Sequence, residues 1–300
     1  MKHPSVRLSV AISAVLLVAC GSEGTERDTY LGQRPPGMEP QVFAPGVVST
    51  ENYEHSPAVF SPDLMSVYWT HEKQDPTQGI IMFSRYRDGV WTEPTAASFG
   101  AEFTNDTPYM TADGNTMFFC SKRPRDGVEL GWHLWFTTRE GDDWSEPRPL
   151  EFEETMSFSG YLTIADDGEV VFSGRGLDET DARDVFTARF ENGRCTKPVR
   201  LPVVNSEHID GYPNISRDGS FLIFESNRPG GMGGLDLYIS TLDEVGSWTE
   251  PCILGKPHNS PQNDRYGQLS ADGKYLFFGS VRGGNMDVYW VSARVLEAAD

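Results

Sequence analysis

The chain has 300 residues, 44 acidic and 25 basic, for a net charge of -19 at pH 7. So acidic a surface repels phosphate backbones and anionic lipid heads, which excludes nucleic acid as a partner. A content of 38% apolar and 12% aromatic residues can fill a large core, and 30 glycines and 20 prolines spread along the chain predict an all-β protein of short strands and many turns.

The first twenty residues, "MKHPSVRLSVAISAVLLVAC", are a separate material. Lys2 and Arg7 give a positive start, and residues 8 to 19 form an apolar run too short to span a bilayer comfortably. The run ends in Leu17-Val18-Ala19-Cys20, which resembles the bacterial lipobox. That resemblance implies a lipoprotein signal peptide over residues 1–19, cleavage before Cys20, diacylglycerol on its thiol, and no transmembrane helix in the mature chain. The other reading is an ordinary secretory signal ending at a chance Cys. Gly21-Ser22 lack the Asp that retains enteric lipoproteins at the inner membrane, so the expected address is the outer membrane, facing the periplasm or the cell surface. With Cys20, the polar, Pro-rich tract 21–39 is read as a flexible tether.

From residue 40 to 294 the chain repeats itself. The segments "SPDLMSVYW", "TADGNTMFF", "ADDGEVVFS", "SRDGSFLIF" and "SADGKYLFF" carry turn residues Asp63, Asp113, Asp167, Asp218 and Asp272 at nearly even spacing. Each reads as strand, Asp-Gly turn and buried strand, because Gly accepts positive φ and Asp caps the turn. An Arg- and Gly-rich loop follows, then a third strand such as "DLYIST", and a fourth marked by Trp-x-x-Pro (Trp91/Pro94, Trp144/Pro147, Cys195/Pro198, Trp248/Pro251). Four antiparallel strands in about 50 residues make one propeller blade.

The run "SRDGSFLIFESNRPGGMGGLDLYIS" resembles the WD40-like β-propeller repeat of the TolB type nearly position for position, and the blade from Ser270 almost as well. Blade 1 departs from it, with Leu64 at the turn Gly and His71-Glu72-Lys73 in place of the Ser-x-Arg loop. Five blades are expected, six being the alternative. The last blade lacks its fourth strand, and "VFAP" at Val42 to Pro45 is read as that strand, an N-terminal velcro closing the ring. Deleting residues 40–48 is then expected to destabilise the fold far more than deleting 21–35. Residues 295–300 are a tail.

Eight positions before each turn Asp stand His55, Asn105, Ser159, Asp210 and Asp264, with Asp106 and Arg265 one position further on. This polar ring, with Tyr161, Tyr212 and Tyr266 as aromatic walls, is the candidate site, since propellers bind at the channel mouth. The recurrent Arg123, Arg175, Arg228 and Arg282 and the third-strand Asp184, Asp236 and Asp287 are read as intrablade braces. No Gly-x-Ser-x-Gly elbow, Cys-x-x-Cys pair or ligand-like His spacing points to a hydrolase or a zinc site, and no cofactor is expected. After Cys20, the odd set Cys120, Cys195 and Cys252 leaves at least one free thiol.

The resulting expectation is a lipid-anchored, non-enzymatic propeller that binds an envelope protein or a cell-wall-associated partner. The alternative is a carbohydrate-binding or glycoside-cleaving propeller, with Asp106, Asp210 and Asp264 as channel-mouth carboxylates. An open pocket of converging carboxylates favours the alternative, and a plugged channel counts against it.

Overall fold

The structure is a computed structural model that describes residues 29–54, 56–72, 78–99, 102–129, 131–176 and 183–296. The expected signal peptide, Cys20, His55 and the Asp-rich stretch 177–182 lie outside the described residues.

Five antiparallel sheets follow one another along the chain, and each is a blade. The innermost strands are Val59–Phe60, Asn105–Met110, Phe158–Ile164, Asp210–Ile215 and Asp264–Leu269. The second strands are Ser66–Glu72, Thr116–Ser121, Glu169–Arg175, Phe221–Ser226 and Tyr275–Ser280. The third strands are Gly79–Arg87, His133–Glu140, Asp184–Glu191, Asp236–Thr241 and Asp287–Ser292. The turns work as the sequence implies: the Asp218 carboxylate accepts from the Ser220 amide at 3.0 Å and the Ser216 hydroxyl at 2.7 Å, and Asp272 repeats the pattern with Lys274 and Ser270. Leu64 keeps the geometry of the Gly it replaces, at φ 59, so blade 1 carries a locally strained turn.

Short fourth strands Thr95–Ala96, Arg148–Pro149, Val199–Arg200 and Cys252–Ile253 pair with the third strands, each starting one residue after the Trp-x-x-Pro proline. Proline there forfeits no ladder donor. The anchor residue packs at the seam with the preceding blade: Trp144 is buried in the cluster between blades 1 and 2, and Cys195 in that between blades 2 and 3. Among the described residues the buried apolar side chains form five clusters, and each cluster joins two neighbouring blades, including blade 5 with blade 1. This is a closed ring of five.

Closure comes from the N-terminal strand Gln41–Val42, antiparallel to Asp287–Ser292, with Gln41 opposite Trp290 and Val42 opposite Tyr289. Its register differs from the one expected. The Phe43 amide donates to Val288 O at 2.7 Å, as Leu254 does to Leu237 O at 3.0 Å, so Pro40 takes the place of Pro251. The stretch "GMEPQVF" therefore overlays "WTEPCIL": this copy kept Glu-Pro and lost its Trp to Gly37. The "VFAP" spacing misleads because Phe43 has to face inward, where it is fully buried, and that places Pro45 beyond the strand.

The tether also ends earlier than residue 39. Tyr30, in a turn of 3-10 helix at Tyr30–Gly32, is 2% exposed and packs against Phe60, Tyr275 and Trp290. Its hydroxyl donates to Asp272 at 2.7 Å, and Gln33 brackets the closing strand by donating to Val42 O at 2.9 Å and accepting from the Ala44 amide at 2.6 Å. A deletion reaching residue 35 therefore removes part of the core. Tyr30→Ala is expected to cost about 3–5 kcal/mol in urea unfolding, and Tyr30→Phe about 1 kcal/mol, since only the second keeps the packing.

The same seam holds a buried carboxyl. Glu54 has no solvent exposure, donates its amide to Met286 O at 3.0 Å, accepts from the Thr50 hydroxyl at 2.5 Å and lies 4.0 Å from His71. Burial, reinforced by Asp287 and Glu72 against the Thr50 hydrogen bonds, pushes its carboxyl up to about 7. A folded-state value raised above the unfolded one means that its contribution to stability is complete at low pH. That contribution is lost as pH rises from about 4.5 toward about 7. Glu54→Gln should flatten this part of the stability-against-pH curve, read as urea midpoints across roughly pH 4 to 8.

Candidate functional site

His55 and Ser159 aside, the residues singled out from sequence divide into two groups. Asn105, Asp210 and Asp264 are fully buried at the starts of their strands, at the brace position. Asp210 accepts from Arg228 at 2.6 Å and from both the amide and the hydroxyl of Ser206, at 2.6 and 2.7 Å. Asp264 does the same with Arg282 at 2.7 Å and with Ser260 at 2.6 and 2.7 Å. The Ser-x-Arg arginines of blades 4 and 5 thus pair with the innermost strand and not with the third-strand Asp, which corrects the expected pairing. Asp236 instead accepts from the Met232 and Gly233 amides at 2.8 and 3.0 Å, and Asp184 pairs with Arg200 at 2.6 Å.

Blade 2 shows what happens when the brace carboxylate is absent. Asn105 stands there, and Arg123 donates to Phe99 O while stacking over Phe103 and Phe119 at 5.1 and 5.3 Å. Burial without a contacting carboxylate pushes this guanidinium down to about 10.

Asp106, Tyr212, Arg265 and Tyr266, with Tyr161, form the second group, around the axis. Each innermost strand of blades 2 to 5 shifts register at a bulge, and the bulge residues Thr107, Tyr161, Tyr212 and Tyr266 have φ of 50, 44, 48 and 58. Left-handed backbone costs a bulky residue about 1–2 kcal/mol. Hydrogen bonds into the preceding blade offset that cost: Thr107 N donates to Thr70 Oγ1 at 3.0 Å, Tyr161 N to Cys120 Sγ at 3.0 Å, and Tyr212 N to Ser173 Oγ at 2.7 Å. Cys120 is thus an acceptor as well as a packing group, and burial pushes its thiol up to about 12. In blade 1 the corresponding residue is Pro57, which has no N–H, and the preceding blade presents Gly279, which has no side chain. Donor and acceptor are missing together.

The bulges throw three tyrosines into the axis. Tyr212 and Tyr266 meet edge to face at 4.3 Å, Tyr161 lies 5.4 Å from Tyr212, and the Tyr161 hydroxyl reaches Gln268 of blade 5 at 3.4 Å. Tyr161 and Tyr266 are buried, and Tyr212 is half-buried. Arg265 lies 4.6 Å over Tyr266 and grips the fully buried Glu225 with two hydrogen bonds of 3.0 and 2.8 Å. Burial disfavours its charge, but Glu225 outweighs burial and holds the guanidinium above its ordinary value. A second cation, Arg183, sits 4.5 Å over Tyr212 and 3.7 Å from Glu225. The axis is filled with aromatic rings around an Arg-Glu-Arg core.

Arg183 and Glu225 escaped the sequence reading, yet both left a signal. Glu225 is a charge inside the buried run "FLIFES", at the position held by Thr70, Cys120, Ser173 and Gly279. Arg183 precedes its third strand where Trp132, Leu235 and Met286 stand in other blades. Asp106 is nearly buried, with Oδ1 accepting from the Thr107 amide at 2.6 Å. Ser159 lies on the strand Phe158–Ile164. Cys120, Cys195 and Cys252 are all unpaired.

No protein-family model and no curated protein matches the chain in sequence. Solved structures do match in shape. A putative TolB from Agrobacterium tumefaciens superposes with a TM-score of 0.52 at 17% identity, over 77% of this chain and 70% of that one. TolB from Acinetobacter baumannii gives 0.52 at 15% identity, over 83% of this chain and 54% of its own. An alpha-L-arabinofuranosidase from Lactobacillus brevis gives 0.54 at 14% identity, over 79% and 89%. At these identities the likeness is one of fold, and the chain has the propeller fold of the TolB type.

The braces make an opposed pair of predictions. Arg282→Ala leaves Asp264 buried without its cation and should cost about 3–5 kcal/mol. Asn105→Asp supplies Arg123 with the carboxylate that blades 4 and 5 use and should stabilise by about 1–3 kcal/mol at neutral pH, both read from urea midpoints.

Proposed function

We propose that the protein is a lipid-anchored, non-enzymatic scaffold of the bacterial envelope, attached to the outer membrane through Cys20 and presenting its channel mouth to an envelope protein or cell-wall-associated partner. One observation carries this reading: two of the three carboxylates suited to glycoside chemistry, Asp210 and Asp264, are locked into arginine braces, and tyrosines fill the axis. A mouth without free catalytic carboxylates suits holding a partner, on loops that the ring carries. The TolB-type fold agrees with a binding scaffold, and the sequence "LVAC" agrees with the anchor.

The carbohydrate reading draws on the half-buried Tyr212 ring and on the fold shared with an arabinofuranosidase. Release of sugar from arabinan or another plant-wall glycan by the purified chain is the result that would favour it.

Two measurements test the scaffold. Cys20→Ser should move the protein from the membrane to the soluble fraction, and persistent membrane association refutes the anchor. Crosslinking in intact cells should capture an envelope protein with the wild-type chain and lose it with Tyr212→Ala. Capture of nothing contradicts a scaffold, and equal capture by both chains contradicts the placement on the mouth.

A further inference from the structure

The braces of blades 4 and 5 repeat one another; Arg183 has no counterpart in blades 2, 4 and 5. It occupies the position just before the third strand, where blades 2, 4 and 5 place Trp132, Leu235 and Met286. An apolar side chain suits that position: Met286 is 1% exposed, and Trp132 packs on the core between blades 2 and 3. Replacing such a residue with a guanidinium costs desolvation, which the Tyr212 ring and the Glu225 carboxylate offset only without a hydrogen bond to either oxygen of Glu225.

Its surroundings hold the group in place. The guanidinium lies 4.5 Å over the Tyr212 ring. Gly211 provides the room: a Cβ there would come within 3.3 Å of Arg183 Nε and 3.4 Å of Cδ, whereas the same position in blades 2 and 5 carries Asp106 and Arg265. The nearest carboxylate, Glu225, is already engaged by two hydrogen bonds from Arg265, and it stands 3.7 Å from Arg183, beyond hydrogen-bonding distance. The side chain keeps 21% of its surface exposed. Two cations therefore share one carboxylate, and the second keeps part of its fork of N–H donors exposed. Asp106, the other carboxylate acting on this cluster, lies on blade 2 and is tied to the Thr107 amide.

We propose that Arg183, oriented by Tyr212 and Gly211, is an anion-binding group at the channel mouth and takes the carboxylate of a monoanionic ligand. A single guanidinium matches one carboxylate, whose two oxygens fit its fork, and a net charge of -19 repels polyanions. This rests on the mouth being a binding surface and adds the chemistry that it selects. The carboxylate could belong to a peptide terminus or to an acidic sugar, so the test carries both.

Isothermal titration calorimetry of the full chain at fixed ionic strength would use N-acetylglycine and glucuronate, beside their neutral counterparts N-acetylglycinamide and glucose. At least one carboxylate should bind where its neutral counterpart does not, and the one that binds names the source. Arg183→Leu restores the residue of blade 4 and is expected to fold, with Glu225 still held by Arg265, as checked by a cooperative melting transition. It should weaken binding about ten- to hundredfold. Arg183→Lys, which keeps the charge without the planar fork, should fall between. Binding of neither carboxylate, or equal binding by Arg183→Leu, overturns the proposal. If Arg183→Leu loses the carboxylate but still crosslinks the envelope partner, the anion site stands apart from the scaffold surface; if no carboxylate binds while the partner is captured, the scaffold stands and the anion site fails.

Discussion

The ring depends on one unfinished sheet. Blade 5 ends at Asp287–Ser292 with an open edge of backbone donors and acceptors, and an exposed edge of that kind invites pairing with another chain. Gln41–Val42 covers it from the other end of the sequence, and Ser49 adds a hydroxyl bonded to both the amide and the carbonyl of Val288, 239 residues away. Tyr30 then packs over the joint between blades 5 and 1. Each remaining seam joins blades that are adjacent in sequence, so the closing seam carries the largest loop-closure cost and is expected to form late in folding.

Once the ring is closed, the repeat explains most of its chemistry. Equivalent positions do equivalent work: turn carboxylates cap their own hairpins, the Ser-x-Arg arginines of blades 4 and 5 brace their own innermost strands, and bulge amides bond across to the preceding blade. Departures are compensated locally, as with Pro57 facing Gly279. Arg123 is a partial exception, with aromatic faces where blades 4 and 5 have a carboxylate. At the axis the departures from the repeat are Glu225, which Arg265 compensates with two hydrogen bonds, and Arg183, which stands 3.7 Å from Glu225.

The sequence made the blades legible because Asp-Gly turns and apolar runs are local signals, set by φ and by burial within a few residues. The closing strand was legible as a missing copy of a pattern, though not in register: its Trp had become Gly37, and only the hydrogen bond from Phe43 to Val288 fixes which proline matches. Tyr30 was hidden in a polar, Pro-rich tract whose composition outweighs one buried ring. At the site, position relative to the turn found Asp210, Asp264, Arg265 and the tyrosines, but not their roles. Whether a carboxylate lines a channel or braces an arginine depends on which way one strand end faces, and spacing does not encode that. Arg183 and Glu225 come from different blades and meet only through the ring.

Amide hydrogen exchange at Phe43 and Ser292 tests the central claim, that the N-terminal strand is an integral part of blade 5. Their N–H groups bond to Val288 O and Gly37 O across the closing seam. The account predicts that both exchange only on global unfolding, with the same denaturant dependence as the Leu254 amide, which makes the equivalent bond in blade 4. Exchange of Phe43 and Ser292 through local opening, while Leu254 stays protected, would contradict it.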